Sequence, residues 1–188
     1  MNPRPRIHPV EKTLLAVVAV HLVFLPWAFG SVHLPAQIVS AVLAVAAFAI
    51  SLLPRTIHPE ESGGNTLRLV PGRRLLRFPV FWLGLLLLGY VALQASNPVW
   101  AYITDGKYFW MMRIPGTDWL PPGVRVPFEK WGPWRSFMVF GGAWLTVCAI
   151  WIGFTRRRTL QILVGALAAN GLLVALLGVA QRMSRTNQ

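Results

Sequence analysis

Acidic side chains are scarce in this sequence: six Asp and Glu stand against 18 Lys and Arg in 188 residues, a net charge of +12. Cysteine is almost missing as well. The one present, Cys148, lies inside an apolar run, which excludes an intrachain disulfide and a thiolate metal cluster. The four His follow no zinc-site spacing, and no P-loop, nucleotide fingerprint or G-x-S-x-G elbow occurs, so no cofactor is expected. A basic excess of this size first suggests nucleic acid, but a DNA-binding surface gathers its cations on one water-facing patch. Here they are scattered over separate connections, which argues against that partner. What the chain lacks most consistently is charge inside its apolar stretches. With 55% apolar and 13% charged residues, it has more apolar side chain than a soluble fold of this length can bury.

Five stretches contain no Lys, Arg, Asp or Glu: Thr13 to Phe29, Leu34 to Leu53, Val80 to Ser96, Phe137 to Phe154 and Leu160 to Ala180. Roughly 20 apolar residues in a helix cross about 30 Å of hydrocarbon. A charge at the centre of such a span would cost about 2.5 to 3.5 kcal/mol. Lipid offers the main chain no partners, so each run must satisfy its own hydrogen bonds as a helix, and the alternation of a β-barrel is absent. The expected fold is therefore all-α, a polytopic transmembrane helix bundle of about five spans. Pro26 is expected to kink or end the first span, because it removes a backbone donor. Arg4, Arg6 and Lys12 resemble the leader of a signal peptide, but the run is long and Ala28-Phe29-Gly30 is a poor cleavage site. The uncleaved reading is preferred.

The expected organisation is a basic arm (1–12), two spans (13–53), a basic loop (54–79), a third span (80–96), an aromatic and basic loop (97–135), two further spans (136–181) and an end segment (182–188). Counting cations by connection puts eleven on the side of the N-terminus and seven on the other. The triplet Arg156, Arg157 and Arg158 weighs most, in a short connection between two spans. This bias predicts a cytoplasmic N-terminus, an external 97–135 loop and an external end.

The two long connections differ in character. Residues 54–79 hold Pro59, Gly63, Gly64, Pro71 and Gly72 among arginines, which reads as a flexible loop against anionic headgroups. Residues 97–135 interleave rings with cations. Rings could stack on sugar faces while Arg and Lys hold phosphate oxygens through charge-assisted hydrogen bonds. Trp100, Trp131 and Trp134, close to span ends, fit an aromatic belt at headgroup depth instead. Trp110 and Trp119 are farther from a span and are candidates for ligand contact or for packing a small external cap. Arg113, Arg125, Lys130 and Arg135 are the matching candidates for holding a diphosphate or glycan. Inside the spans, His21, Gln161 and Asn170 read as polar groups bonded to neighbouring helices, and Gly84, Gly89, Gly141, Gly142, Gly165 and Ala169 as sites of close helix approach. The chain alone shows no catalytic constellation.

The segments Leu25-Pro26-Trp27-Ala28-Phe29-Gly30-Ser31-Val32, Pro127-Phe128-Glu129-Lys130-Trp131 and Trp151-Ile152-Gly153-Phe154-Thr155-Arg156-Arg157-Arg158 resemble the first third of bacterial O-antigen ligase and polymerase-like membrane proteins. Ala168-Ala169-Asn170-Gly171 and Gly178-Val179-Ala180-Gln181-Arg182 extend the similarity over most of the chain. The resemblance implies the inner membrane of a bacterium and further helices beyond Gln188. It also implies glycosyl transfer from a polyprenyl-diphosphate-linked glycan at the external face. The family's catalytic Arg and His lie in a later external loop that no residue here matches, so the portion present is expected to be incomplete and inactive alone. A non-enzymatic accessory subunit of a larger membrane complex is the other expectation, with membrane lipid and further membrane subunits as partners.

Overall fold

The computed structural model describes residues 7–28, 33–57, 67–126 and 132–186. Its helices are α1 (Pro9–Trp27), α2 (Leu34–Ser51), α3 (Pro71–Leu76), α4 (Pro79–Ser96), α5 (Gly132–Gly153) and α6 (Arg157–Thr186). The strands are β1 (Arg55–Ile57), β2 (Leu67–Leu69), β3 (Pro98–Thr104), β4 (Phe109–Arg113) and β5 (Gly123–Arg125). Five helices, all but α3, are long and apolar enough to cross a membrane. Each expected apolar stretch coincides with one of these five, but the bounds differ: α2 ends at Ser51 and α5 at Gly153, short of the expected Leu53 and Phe154, while α1 begins before its stretch and α6 extends beyond its stretch at both ends. Helix α1 begins at Pro9 and so takes in Glu11 and Lys12, and α6 continues past Ala180 to Thr186.

Proline opens α1, α2, α3 and α4, each time in the first turn, where its missing N–H is not needed and its fixed φ already suits a helix. Pro26 falls in the last turn of α1, and the helix ends one residue later at Trp27. The proline withholds one donor from the last turn, and Ala28 N still closes that turn by donating to Phe24 O at 3.0 Å.

The chain is mostly helical but not all-α. Residues 54–79 contain an antiparallel pair, with Arg55 opposite Leu69, followed by α3. Residues 97–135 contain a three-stranded sheet in the order β4-β3-β5, with β4 antiparallel and β5 parallel to β3. Its reversal lies at Asp105-Gly106. Gly106 has φ of 90°, a conformation that costs a residue without Cβ nothing, and the Asp105 carboxylate accepts from the amides of Lys107 at 2.9 Å and Tyr108 at 2.7 Å. The Asp-Gly step between aromatic and β-branched runs selects a hairpin over a loop.

Two compact units divide the chain: Met1–Arg77 with Leu145–Gln188, and Phe78–Trp144. In the first, α1 packs on α2 and α6 around Leu14, Val18, Ala47, Ala149, Phe154 and Leu163. Small side chains there let backbones approach, and dispersion between fitted surfaces holds helices together in lipid, where the tails are as apolar as leucine. A Cβ at Gly153 would run into the Leu14 side chain. His21, buried, bridges helices: its Nε2 lies 2.8 Å from Ser40 Oγ and its Nδ1 3.2 Å from Thr146 Oγ1. Trp27 Nε1 donates to Asn170 Oδ1 at 2.7 Å, joining α1 to α6.

In the second unit, Phe81 stacks on Trp144 at 5.5 Å, and Gly84 makes room for the same indole. Asn97, buried at the end of α4, ties down the segment that leads to β5. Its Oδ1 accepts from Thr117 N at 2.9 Å, and its Nδ2 donates to Thr117 O at 2.9 Å. Gly123 N donates to Asn97 O at 2.8 Å, and a Cβ at Gly123 would collide with the Gln94 carbonyl. The sheet therefore starts directly at the end of a span.

Candidate site on the aromatic and basic sheet

The ladder register decides which candidate residues share a face. Residues paired directly across strands point to the same side, and successive residues alternate. Trp100 pairs with Arg113 and Val124, Tyr102 with Met111, and Thr104 with Phe109, so these form one face. Ala101 pairs with Met112 and Arg125, and Ile103 with Trp110, so these form the other. Trp110 and Arg125 are thus brought to one face, on the two outer strands. Their Cα atoms are roughly 12 Å apart, from about 4.8 Å per strand spacing and 3.3 Å per residue. Between them, on the central strand, lie Ala101 and Ile103.

Arg113 is directed to the opposite face and is ion-paired with Asp118. Both side chains of that pair are well exposed, where such pairs contribute little to stability. Trp119 lies between β4 and β5 and is 82% exposed, so it packs no cap. Arg135 is half-buried in the first turn of α5. Lys130 lies outside the described residues. The sheet therefore does not gather the cations into one clamp. It offers one ring and one guanidinium on one face, Trp110 with Arg125, and aromatic contact on the other, where Tyr102 and Phe109 meet at 5.8 Å. All five residues of β4 are exposed, including the apolar ones, as befits a surface that meets a bilayer interface or a ligand.

A second constellation, in the other unit, went unforeseen. Glu11 is 1% exposed and accepts three hydrogen bonds at the start of α6: from Thr155 N at 3.2 Å, Thr155 Oγ1 at 2.6 Å and Thr159 Oγ1 at 2.5 Å. A carboxylate suits that position, because unpaired amides and the helix dipole make the first turn electropositive. Arg55 is buried beside it and donates to Gly153 O, the last residue of α5. Arg74 donates to Ile152 O at 3.4 Å and lies 5.6 Å from the Trp151 ring. Desolvation holds the Arg55 guanidinium below its ordinary pKa; the Glu11 charge opposes this and Arg74 adds to it. Arg74 is lowered too, by desolvation, again opposed by Glu11. By sequence these residues belong to the basic arm and to the loop expected to lie against headgroups. The signal that could have singled out Glu11 is its rarity, as an acid at the mouth of a span in a chain with six.

Among the described residues no group of three or more His, Cys, Asp or Glu side chains is placed to hold a metal ion. Comparison with protein-family models, with curated proteins and with solved structures finds no match for the chain.

Proposed function

We propose that this chain is the amino-terminal membrane portion of an O-antigen ligase or polymerase-like glycosyltransferase of the bacterial inner membrane. In this reading its N-terminus is cytoplasmic, and its sheet contributes part of an external groove for a polyprenyl-diphosphate-linked glycan. The observation that carries the reading is Trp110 and Arg125 on one face of a sheet anchored at a span end. A ring offers its face to a sugar, and a guanidinium offers paired donors to a phosphate oxygen. The lipid carrier of such a glycan lies in the bilayer, so its diphosphate is presented at headgroup depth, where the sheet begins. Catalytic groups are assigned to no residue of the chain.

The test is binding of a polyprenyl-diphosphate oligosaccharide to the full chain in lipid nanodiscs. Trp110→Ala and Arg125→Ala should each weaken binding about tenfold, the size expected from losing one charged hydrogen bond or its equivalent in stacking. Arg113→Ala, on the opposite face, should leave it within about twofold. Unchanged binding in the first two variants, or an equal loss in the third, would remove this site.

One observation favours a second reading, an accessory subunit in a larger membrane complex. Gly89, Gly165, Gly171 and Gly178 have nothing within 4 Å of where a Cβ would stand, so α4 and α6 present small-residue positions that the chain itself does not cover. Positions left open in this way among the described residues suit another helix. The genomic reading frame past Gln188 separates the two: an in-frame continuation with more spans and an external loop bearing Arg and His supports the enzyme. A stop codon, with stable co-purification in a defined complex, supports the subunit.

A further inference from the structure

Where α1 and α6 begin and α2 and α5 end, one buried and one half-buried guanidinium face a single buried carboxylate among the described residues. Arg55 is 4% exposed and donates to Gly153 O, and among the described residues its Nε and Nη1 have no partner. Arg74 bonds the preceding carbonyl, Ile152 O. Successive acceptors, Gly153 O and Ile152 O, make the two guanidinium groups neighbours. The carboxylate of this cluster, Glu11, already accepts from Thr155 and Thr159. Two guanidinium charges, Arg55 buried and Arg74 half-buried, stand against that one carboxylate, and the buried one has N–H groups to satisfy. An uncompensated buried charge is strongly unfavourable, and each unpaired buried N–H adds the cost of its desolvation.

We propose that a phosphate group completes this cluster, supplied by the headgroup of an anionic phospholipid and held by Arg55 and Arg74. Its oxygens accept from the unpartnered N–H groups of Arg55, and its charge offsets the second guanidinium. The depth is right on structural grounds. Glu11, near the start of one span, touches residues at the start of another, while Arg55, just beyond α2, touches the last residue of α5. Four span ends thus meet at one level, and the level at which spans end is where hydrocarbon gives way to headgroups. Trp151, exposed and beside Arg74, is a ring of the kind that settles at that boundary. Basic pockets between spans are a known physical basis for headgroup recognition. This inference needs only the membrane reading and is independent of any glycan.

The full chain is placed in nanodiscs of phosphatidylcholine alone or with added phosphatidylglycerol, and its unfolding midpoint and retained lipids are measured by thermal scan and native mass spectrometry. The wild type should gain a higher midpoint and retain one phosphatidylglycerol. Arg74→Gln should lose affinity about tenfold or more, the size of one or two hydrogen bonds to a charged group. Arg157→Gln, also basic and exposed, should behave as wild type. If inorganic phosphate in phosphatidylcholine discs gives the same gain, lost in Arg74→Gln, the site stands and draws its anion from solution. No gain with either probe, a normal response in Arg74→Gln, or an equal loss in Arg157→Gln overturns the proposal. So does an Arg55→Met variant that unfolds at or above the wild-type midpoint in phosphatidylglycerol. If Arg55→Met does not fold, Arg74→Gln decides alone.

Discussion

Glu11 shows how one side chain changes the meaning of a terminus. By position it belongs to a basic arm, yet it is buried and joins the foot of α1 to the start of α6 through two threonines. Changing Glu11→Ala strands those donors and should lower stability by about 1 to 3 kcal/mol, the cost of leaving buried polar groups unpaired. Thr159→Val, which removes one donor, should cost less, and thermal unfolding in detergent checks both. Asp105 offers a pH test. Its hydrogen bonds from the Tyr108 and Lys107 amides hold its pKa below the usual 3.8. A lowered folded value means that the turn's stabilisation is complete above the ordinary carboxylate value and is lost as pH falls through the lower folded one. Amide NMR shifts of Lys107 and Tyr108 should therefore titrate below pH 3.8 in the wild type and stay flat in Asp105→Asn. Titration at or above the ordinary value would contradict the turn as described.

At the scale of elements, the five spans were legible because an uncharged run of that length has one stable conformation in lipid, whatever its neighbours. Small side chains inside those runs did not reveal which of them meet another helix. Gly153 meets Leu14 and Gly84 meets Trp144, whereas Gly89 and Gly165 meet nothing. Gly153→Ala and Gly84→Ala should accordingly destabilise by about 1 to 3 kcal/mol through overpacking. Gly165→Ala should be neutral or stabilising by up to about 1 kcal/mol, since alanine is the better helix former. Equal midpoints for Gly153→Ala and Gly165→Ala would contradict the helix contacts. The sheet was less legible. Trp100 reads as part of an aromatic belt and Trp110 as a ligand contact or cap residue, and neither reading uses the Asp105-Gly106 hairpin signal between two strand-like runs. Which face each candidate occupies depends on register, and register is set by pairing partners distant in sequence: Arg125 lies beside Ala101, and Ala101 beside Met112. Arg55 was hidden for a similar reason, since a charge just past a span end reads as solvated until the chain folds over it.

For the whole molecule, the proposed topology has five crossings, and the cation bias assigns the 97–135 loop and the basic 54–79 loop to opposite faces of the membrane. The Lys107 turn is exposed. The buried Cys148 can be replaced by alanine to give a thiol-free background for labelling. The most direct measurement introduces Lys107→Cys or Gly72→Cys into that background and treats intact cells, then permeabilised ones, with a membrane-impermeant maleimide. The account predicts that Lys107→Cys is labelled in intact cells and Gly72→Cys only after permeabilisation. Labelling of both from the same side, or of Gly72→Cys alone in intact cells, would contradict it.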